Sequence, residues 1–238
     1  MNTSDNGAKL LASWSWRLTL LAVAAFLFLV ISFVGLRRFD WLICRCYGQC
    51  VPSFLLLAAL IGCGNRRLQL PACATAFLSP FFSWYLLSDK PSAYFIWCTV
   101  CWGGGIIGFL FEMTSFIQSC AKASSCKWLE KMAEHADKFY IYLLIVPLGA
   151  IGVANAFVVG SPFQSSFWDA FIQTFHSEPK YLLPIAWNAF VFLKLCCSAV
   201  LAVQQVIRRQ LASPFEASSC QLDVNEQEIQ KNAQENNS

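Results

Sequence analysis

Residues 93–116 read AYFIWCTVCWGGGIIGFLFEMTSF, an apolar run with one formal charge, Glu112. Crossing a hydrocarbon core of about 30 Å takes roughly 20 residues of helix, and this stretch is long enough. In hydrocarbon every backbone N–H and C=O must be paired internally, so a segment of this kind has to be helical. The reading extends outward on both sides. Residues 18–36, 68–87 and 139–159 are comparable, 181–204 is as long but carries Lys194, and 50–64 is marginal. The expected fold is all-α: a polytopic helical membrane protein with six transmembrane helices, or five if 50–64 does not cross.

Composition agrees. Hydrophobic residues make up 57% of the 238 residues and charged residues 13%, about half the charged share of a soluble domain. No gap between the apolar runs leaves room for a separate soluble domain. The chain divides into a polar N-terminal segment (1–16), a membrane domain (17–204) and a tail (205–238). From Glu216 onward the tail is Gln, Asn, Glu and Ser with few large apolar groups, the composition of a disordered segment. A net charge of +3 is too small to point to nucleic acid, and the bilayer is the first expected partner. The first apolar run is followed by Arg37-Arg38, where a cleaved signal would carry small residues, so it reads as a retained anchor.

Lys and Arg concentrate on the cytoplasmic side of short loops. With six spans, one side holds Lys9, Arg17, Arg66, Arg67, Lys122, Lys127, Lys131, Lys138, Arg208, Arg209 and Lys231. The other holds Arg37, Arg38, Arg45, Lys90 and Lys180. With five spans, Arg37, Arg38 and Arg45 join the richer side, while Lys9 and Arg17 leave it. Either way 117–138 and the C-terminal tail are expected in the cytoplasm. The lack of any formal charge from Cys46 to Gly64 favours six.

Two connectors carry their own pattern. In 125–139, Trp128, Leu129, Met132, Ala136 and Phe139 recur at helical spacing, with Lys127, Glu130, Lys131, Glu134 and Lys138 opposite. This predicts a cytoplasmic amphipathic extension of the next span. In 163–175, Phe163, Phe167, Phe171 and Phe175 stand four apart beside Trp168. That pattern predicts an outer interfacial helix lying at headgroup level, or else covering a central cavity.

Candidate chemistry is sparse. Glu112 and Lys194 are ionisable groups inside apolar spans, where a charge costs at least about 2.5 kcal/mol and asks for a partner or a purpose. Counted from the outer span ends, their backbones differ in depth by about 9 Å. Asn155 and Asn188 can add interhelical hydrogen bonds. Together these four can line a permeation path or hold the bundle. Gly104 and Gly108 form G-x-x-x-G, while Gly149, Gly152 and Ala156 give a second small-residue face, and both allow close helix approach. Packing within the chain and self-association are both open. Metal binding is not expected, because the two histidines, His135 and His176, fall in separate connectors. No cofactor motif is present.

Of the twelve cysteines, Cys98 and Cys101 form C-x-x-C near an outer helix end, and Cys44, Cys46 and Cys50 precede the second apolar run. This layout resembles vitamin K epoxide reductase and the bacterial disulfide-forming quinone reductases. The resemblance implies that loop cysteines pass electrons to Cys98 and Cys101 beside a quinone, each exchange being resolved by a neighbouring thiol. The crowding of Cys44, Cys46 and Cys50 departs from that pattern. Trp102-Gly103-Gly104-Gly105, Cys46-Tyr47-Gly48-Gln49-Cys50 and Glu178-Pro179 before Trp187-Asn188 resemble fragments of a four-span, tetraspanin-like adaptor family. Loop 160–180, however, is short and has no cysteine, so that family is not assigned.

The sequence leads first to a non-enzymatic membrane organiser, partnered by other membrane proteins or by its own copies as a homo-oligomer. A small transporter or channel using Lys194, Glu112, Asn155 and Asn188 is the alternative. A thiol oxidoreductase using Cys98 and Cys101 is the third reading.

Overall fold

The computed structural model describes residues 12–36, 50–88, 90–177 and 183–205, and the regular structure among them is entirely helical. The helices are α1 (Ser15–Leu36), α2 (Cys50–Leu60), α3 (Arg66–Leu87), α4 (Ala93–Ala123), α5 (Lys127–Tyr140), α6 (Val146–Val159) and α7 (Ser165–Ser177), followed by α8 (Leu183–Gln205). A π-helical turn, Ile141–Ile145, joins α5 to α6. Among the described residues, three helices are long and apolar enough to cross a membrane: α4, the continuous rod Lys127–Val159, and α8. The chain is therefore a multi-pass integral membrane protein. The expected disordered tail from 206 onward, Cys44 and Cys46 lie outside the described residues.

The first four helices are tied together at one end. Gly62 and Gly64 adopt φ of 69° and 71°, left-handed values that suit glycine and reverse the chain sharply between α2 and α3. They stop α2 at Leu60, short of the Gly64 limit expected from hydropathy. Asn65 then caps α3, its Oδ1 accepting from the Arg67 N–H at 3.1 Å. From α1, the Arg17 guanidinium donates to the carbonyls of Ala59 (3.0 Å) and Ile61 (2.9 Å). It thus neutralises the negative end of α2 while lying over the rings of Trp14 and Trp16. Trp14 in turn meets Phe116 of α4 at 4.3 Å. The start of α1, the end of α2, the start of α3 and the last turns of α4 therefore share one end. At the other, Cys50 Sγ is 3.7 Å from Ser83 Oγ, near the finish of α3. Consecutive helices from α1 to α4 alternate in direction.

Proline inside these helices is accommodated locally. Pro80 lacks the N–H that would bond the Ala76 carbonyl, and Ser79 Oγ donates to that carbonyl instead, at 2.9 Å. Pro147 follows directly on the π turn, in which the Val146 N–H bonds the Ile141 carbonyl. One wider turn lets the rod pass a residue that would otherwise break it.

α5 is amphipathic, but its buried face is turned from the expected one. Leu129, Ala133, Ala136 and Tyr140 are fully buried against the bundle, whereas Trp128 and Phe139, expected on the apolar side, are exposed; Lys138 and Glu134 pair at 2.7 Å on the outside. The Lys138 ammonium holds the Glu134 carboxyl below its usual range. α7 forms where the four-apart phenylalanines predict a helix, and it is docked rather than floating. Phe167 is buried, Trp168 lies 6.2 Å from Trp97 of α4, and the Tyr85 hydroxyl of α3 donates to Asp169 at 2.7 Å.

Candidate functional site

α4 has two sides. Ile96, Cys98, Thr99, Trp102, Phe109, Met113, Ile117 and Cys120 are buried. Trp97, Cys101, Gly104, Ser115 and Ser119 are exposed at helical spacing, with Gly108 and Glu112 half-exposed among them. A Cβ placed on Gly104 or Gly108 would meet nothing within 4 Å. The close approach within the chain is made one position round the helix, at Gly105. A Cβ there would stand 2.7 Å from Thr75 Oγ1 and 3.5 Å from the Pro71 carbonyl oxygen of α3. The glycine triplet was legible in the sequence, but which of the three faces α3 was not.

The second small-residue face is similarly open. No residue of α6 is buried, Gly149 meets nothing within 4 Å, and Gly152 meets only the Phe171 ring edge of α7, at 3.9 Å. Ala156 is exposed.

Glu112 and Lys194 are closer in depth than the span ends suggested. Phe109 of α4 contacts Phe192 of α8, ring centroids 5.9 Å apart. Further along both helices, Tyr140 lies beside Thr114 of α4 and Cys196 of α8. The two helices thus run parallel and share a level at Phe109 and Phe192. Glu112 is three residues past the first and Lys194 two past the second, so their backbones lie within about one helical turn of each other in depth, nearer than the roughly 9 Å that level helix ends would give. They do not pair with each other. Asn188, Phe192, Leu195, Cys196 and Ala199 form the buried side of α8, and Lys194 stands exposed on its outer side with Trp187, Phe190, Cys197 and Leu201.

The other polar candidates do not join them. Asn188 is buried and donates to the Pro184 carbonyl within its own helix at 2.6 Å, leaving Oδ1 without a partner. Asn155 is half-buried on α6, its Nδ2 unpartnered. Three further buried polar atoms lack partners, Trp102 Nε1, Asp137 Oδ1 and the Tyr140 hydroxyl. The sequence singles out none of the three as a buried polar group. Burial raises the Asp137 carboxyl above its usual pKa.

The described cysteines are all free thiols. Cys98 is buried and Cys101 exposed, so the C-x-x-C pair divides between two faces of α4, and Cys50 is buried against α3. Among the described residues, no group of three or more His, Cys, Asp or Glu could hold a metal ion. At the tied end of the bundle, an open groove of about 540 Å³ is lined by Trp14, Cys63, Gly64, Asn65, Arg66, Arg67 and Phe116.

Comparison with protein-family models, with curated proteins and with solved structures finds no match. The chain is a helical, membrane-spanning protein, and the described residues present no catalytic or metal-binding constellation.

Proposed function

We propose that this chain is a non-enzymatic membrane organiser, an assembly partner that offers open helix faces to other membrane-embedded helices. The observation that carries the reading is the empty space over Gly104, Gly108 and Gly149. Glycine in a helix costs roughly 1 kcal/mol relative to alanine. In lipid that cost is recovered when another backbone comes close enough to need the missing side chain.

The same reading takes six crossings. Its support is the alternation of α1 to α4 and the parallel course of α4 and α8. These gather Arg17, Arg66, Arg67, Lys122, Lys127, Lys131 and Lys138 at one end and leave Lys90 at the other. The positive end is then cytoplasmic, and the tail after α8 with it. α1 and α2 belong to the membrane domain as its first hairpin. A transport path through Glu112, Lys194, Asn155 and Asn188 has no support from their arrangement, since they occupy separate faces.

Reconstitution at increasing lipid dilution tests this. Energy transfer between labelled chains, or between the chain and co-purified membrane proteins, should persist well above that of a non-interacting span. Solute flux from the same vesicles by chains that stay monomeric would overturn the reading.

A further inference from the structure

Glu112 and Lys194, ionisable groups within apolar spans, are opposite in sign, have no ion pair among the described residues, and lie within about one helical turn of the same depth. Lys194 stands on the outward face of α8, ten residues short of the inner end of the apolar run 181–204. Glu112 is four residues, about 6 Å, short of Phe116 at the tied end, so both groups lie in the half of the membrane nearer that end. Glu112 sits half-exposed on the open side of α4. A charge within the apolar part of a span asks for a partner, and pairing the two would supply one for each.

We infer that a second copy of this chain docks the outer face of its α8 onto the open face of α4, joining Lys194 of one copy to Glu112 of the next. The inference rests on the assembly reading above and names its partner. The charges carry it, and the shapes agree. Trp187, Phe190 and Leu201 project from the α8 face, and the α4 face offers Gly104, Gly108 and Ser115 to receive them. Helices that both run from the same side of the bilayer meet in parallel, which keeps the charges level.

The buried side of α8 faces α4 in its own chain, so Lys194 points away from α4. One copy therefore cannot present both faces to the same neighbour. The contact is heterologous, and repetition gives a ring or a row rather than a two-fold dimer.

Native Cys197 makes a direct test possible. It is exposed beside Lys194, five residues past Phe192, while exposed Ser115 is six past Phe109, so the two lie within about one helical turn in depth. Full-length Ser115→Cys in native-composition membranes, oxidised with copper phenanthroline, should give a ladder of linked chains beyond the dimer. Cys197→Ser should abolish it. Glu112→Lys or Lys194→Glu alone should weaken association on the order of tenfold, as two like charges meet where an opposite pair stood. The double exchange should restore it, which a misfolded variant could not do.

Linkage of native Cys101 to Cys101 would place two α4 faces together in a two-fold dimer and overturn the inference. Linkage of Ser115→Cys to a different protein would also overturn it, while leaving the assembly reading in place. Chains that stay monomeric with no linkage of any kind would remove both.

Discussion

The rod from Lys127 to Val159 is one helix with two characters. Its first half, α5, buries Leu129, Ala133, Ala136 and Tyr140 almost completely, whereas α6 buries no residue at all. The difference follows from the solvent at each end. α5 is amphipathic and stands at the aqueous edge, so its apolar side is driven onto the bundle by water. α6 is apolar all round, and lipid is as good an environment for its side chains as a neighbouring helix. Nothing presses it inward. Within the hydrocarbon α4 and α8 do bury one side against the bundle, so α6 is the exception, a face left for shape and charge to fill.

That contrast can be broken at several points. Tyr140→Ala should cost about 3–5 kcal/mol, as truncation of a buried aromatic does. Phe157→Ala, 87% exposed on α6, should stay within about 0.5 kcal/mol. Denaturation in mild detergent followed by Trp fluorescence would check both, and equal losses would show that the two halves are alike. Gly105→Val should cost about 1–3 kcal/mol by overpacking against Thr75. Gly104→Val should leave the melting temperature of the dispersed chain nearly unchanged while weakening association in membranes.

Arg17→Gln sharpens the picture at the tied end. It removes two charge-assisted hydrogen bonds to the last carbonyls of α2, and a loss of about 1–3 kcal/mol is expected. Hydrogen exchange should show α2 loosening before α4 does. The smallest effect is expected at Asp137. Its folded pKa is raised by burial, so the folded chain holds a proton more tightly than the unfolded one. Stability should therefore rise as pH falls through that raised value and level off below the ordinary carboxylate pKa. Asp137→Asn should raise the melting temperature slightly at neutral pH and flatten this dependence.

Much of the fold was legible because it follows from hydropathy and charge alone. The amphipathic stretch at 125–139 and the aromatic stretch at 163–175 both form helices, Lys127–Tyr140 and Ser165–Ser177, though Trp128 and Phe139 fall outside the buried face of the first. The helix limits were less so. α2 ends early because Gly62 and Gly64 take left-handed backbone angles, which hydropathy does not register. The candidate residues were legible as residue types but not as faces. Gly103-Gly104-Gly105 offers three orientations, and only the neighbouring helix decides that Gly105 meets Thr75 while Gly104 meets open space. The level of Glu112 against Lys194 was likewise set by Phe109 on Phe192, a contact between helices far apart in the chain.

The most direct test is lipid-phase carbene labelling of Cys101, which lies on the open face of α4, with exposed Cys73 of α3 as reference. Both would be read in native membranes and again after dilution into excess lipid. An assembly partner should show Cys101 protected in the native bilayer and labelled after dilution, with Cys73 labelled in both. Equal labelling of Cys101 in the two states would mean that the face stays bare, and it would contradict the proposed role.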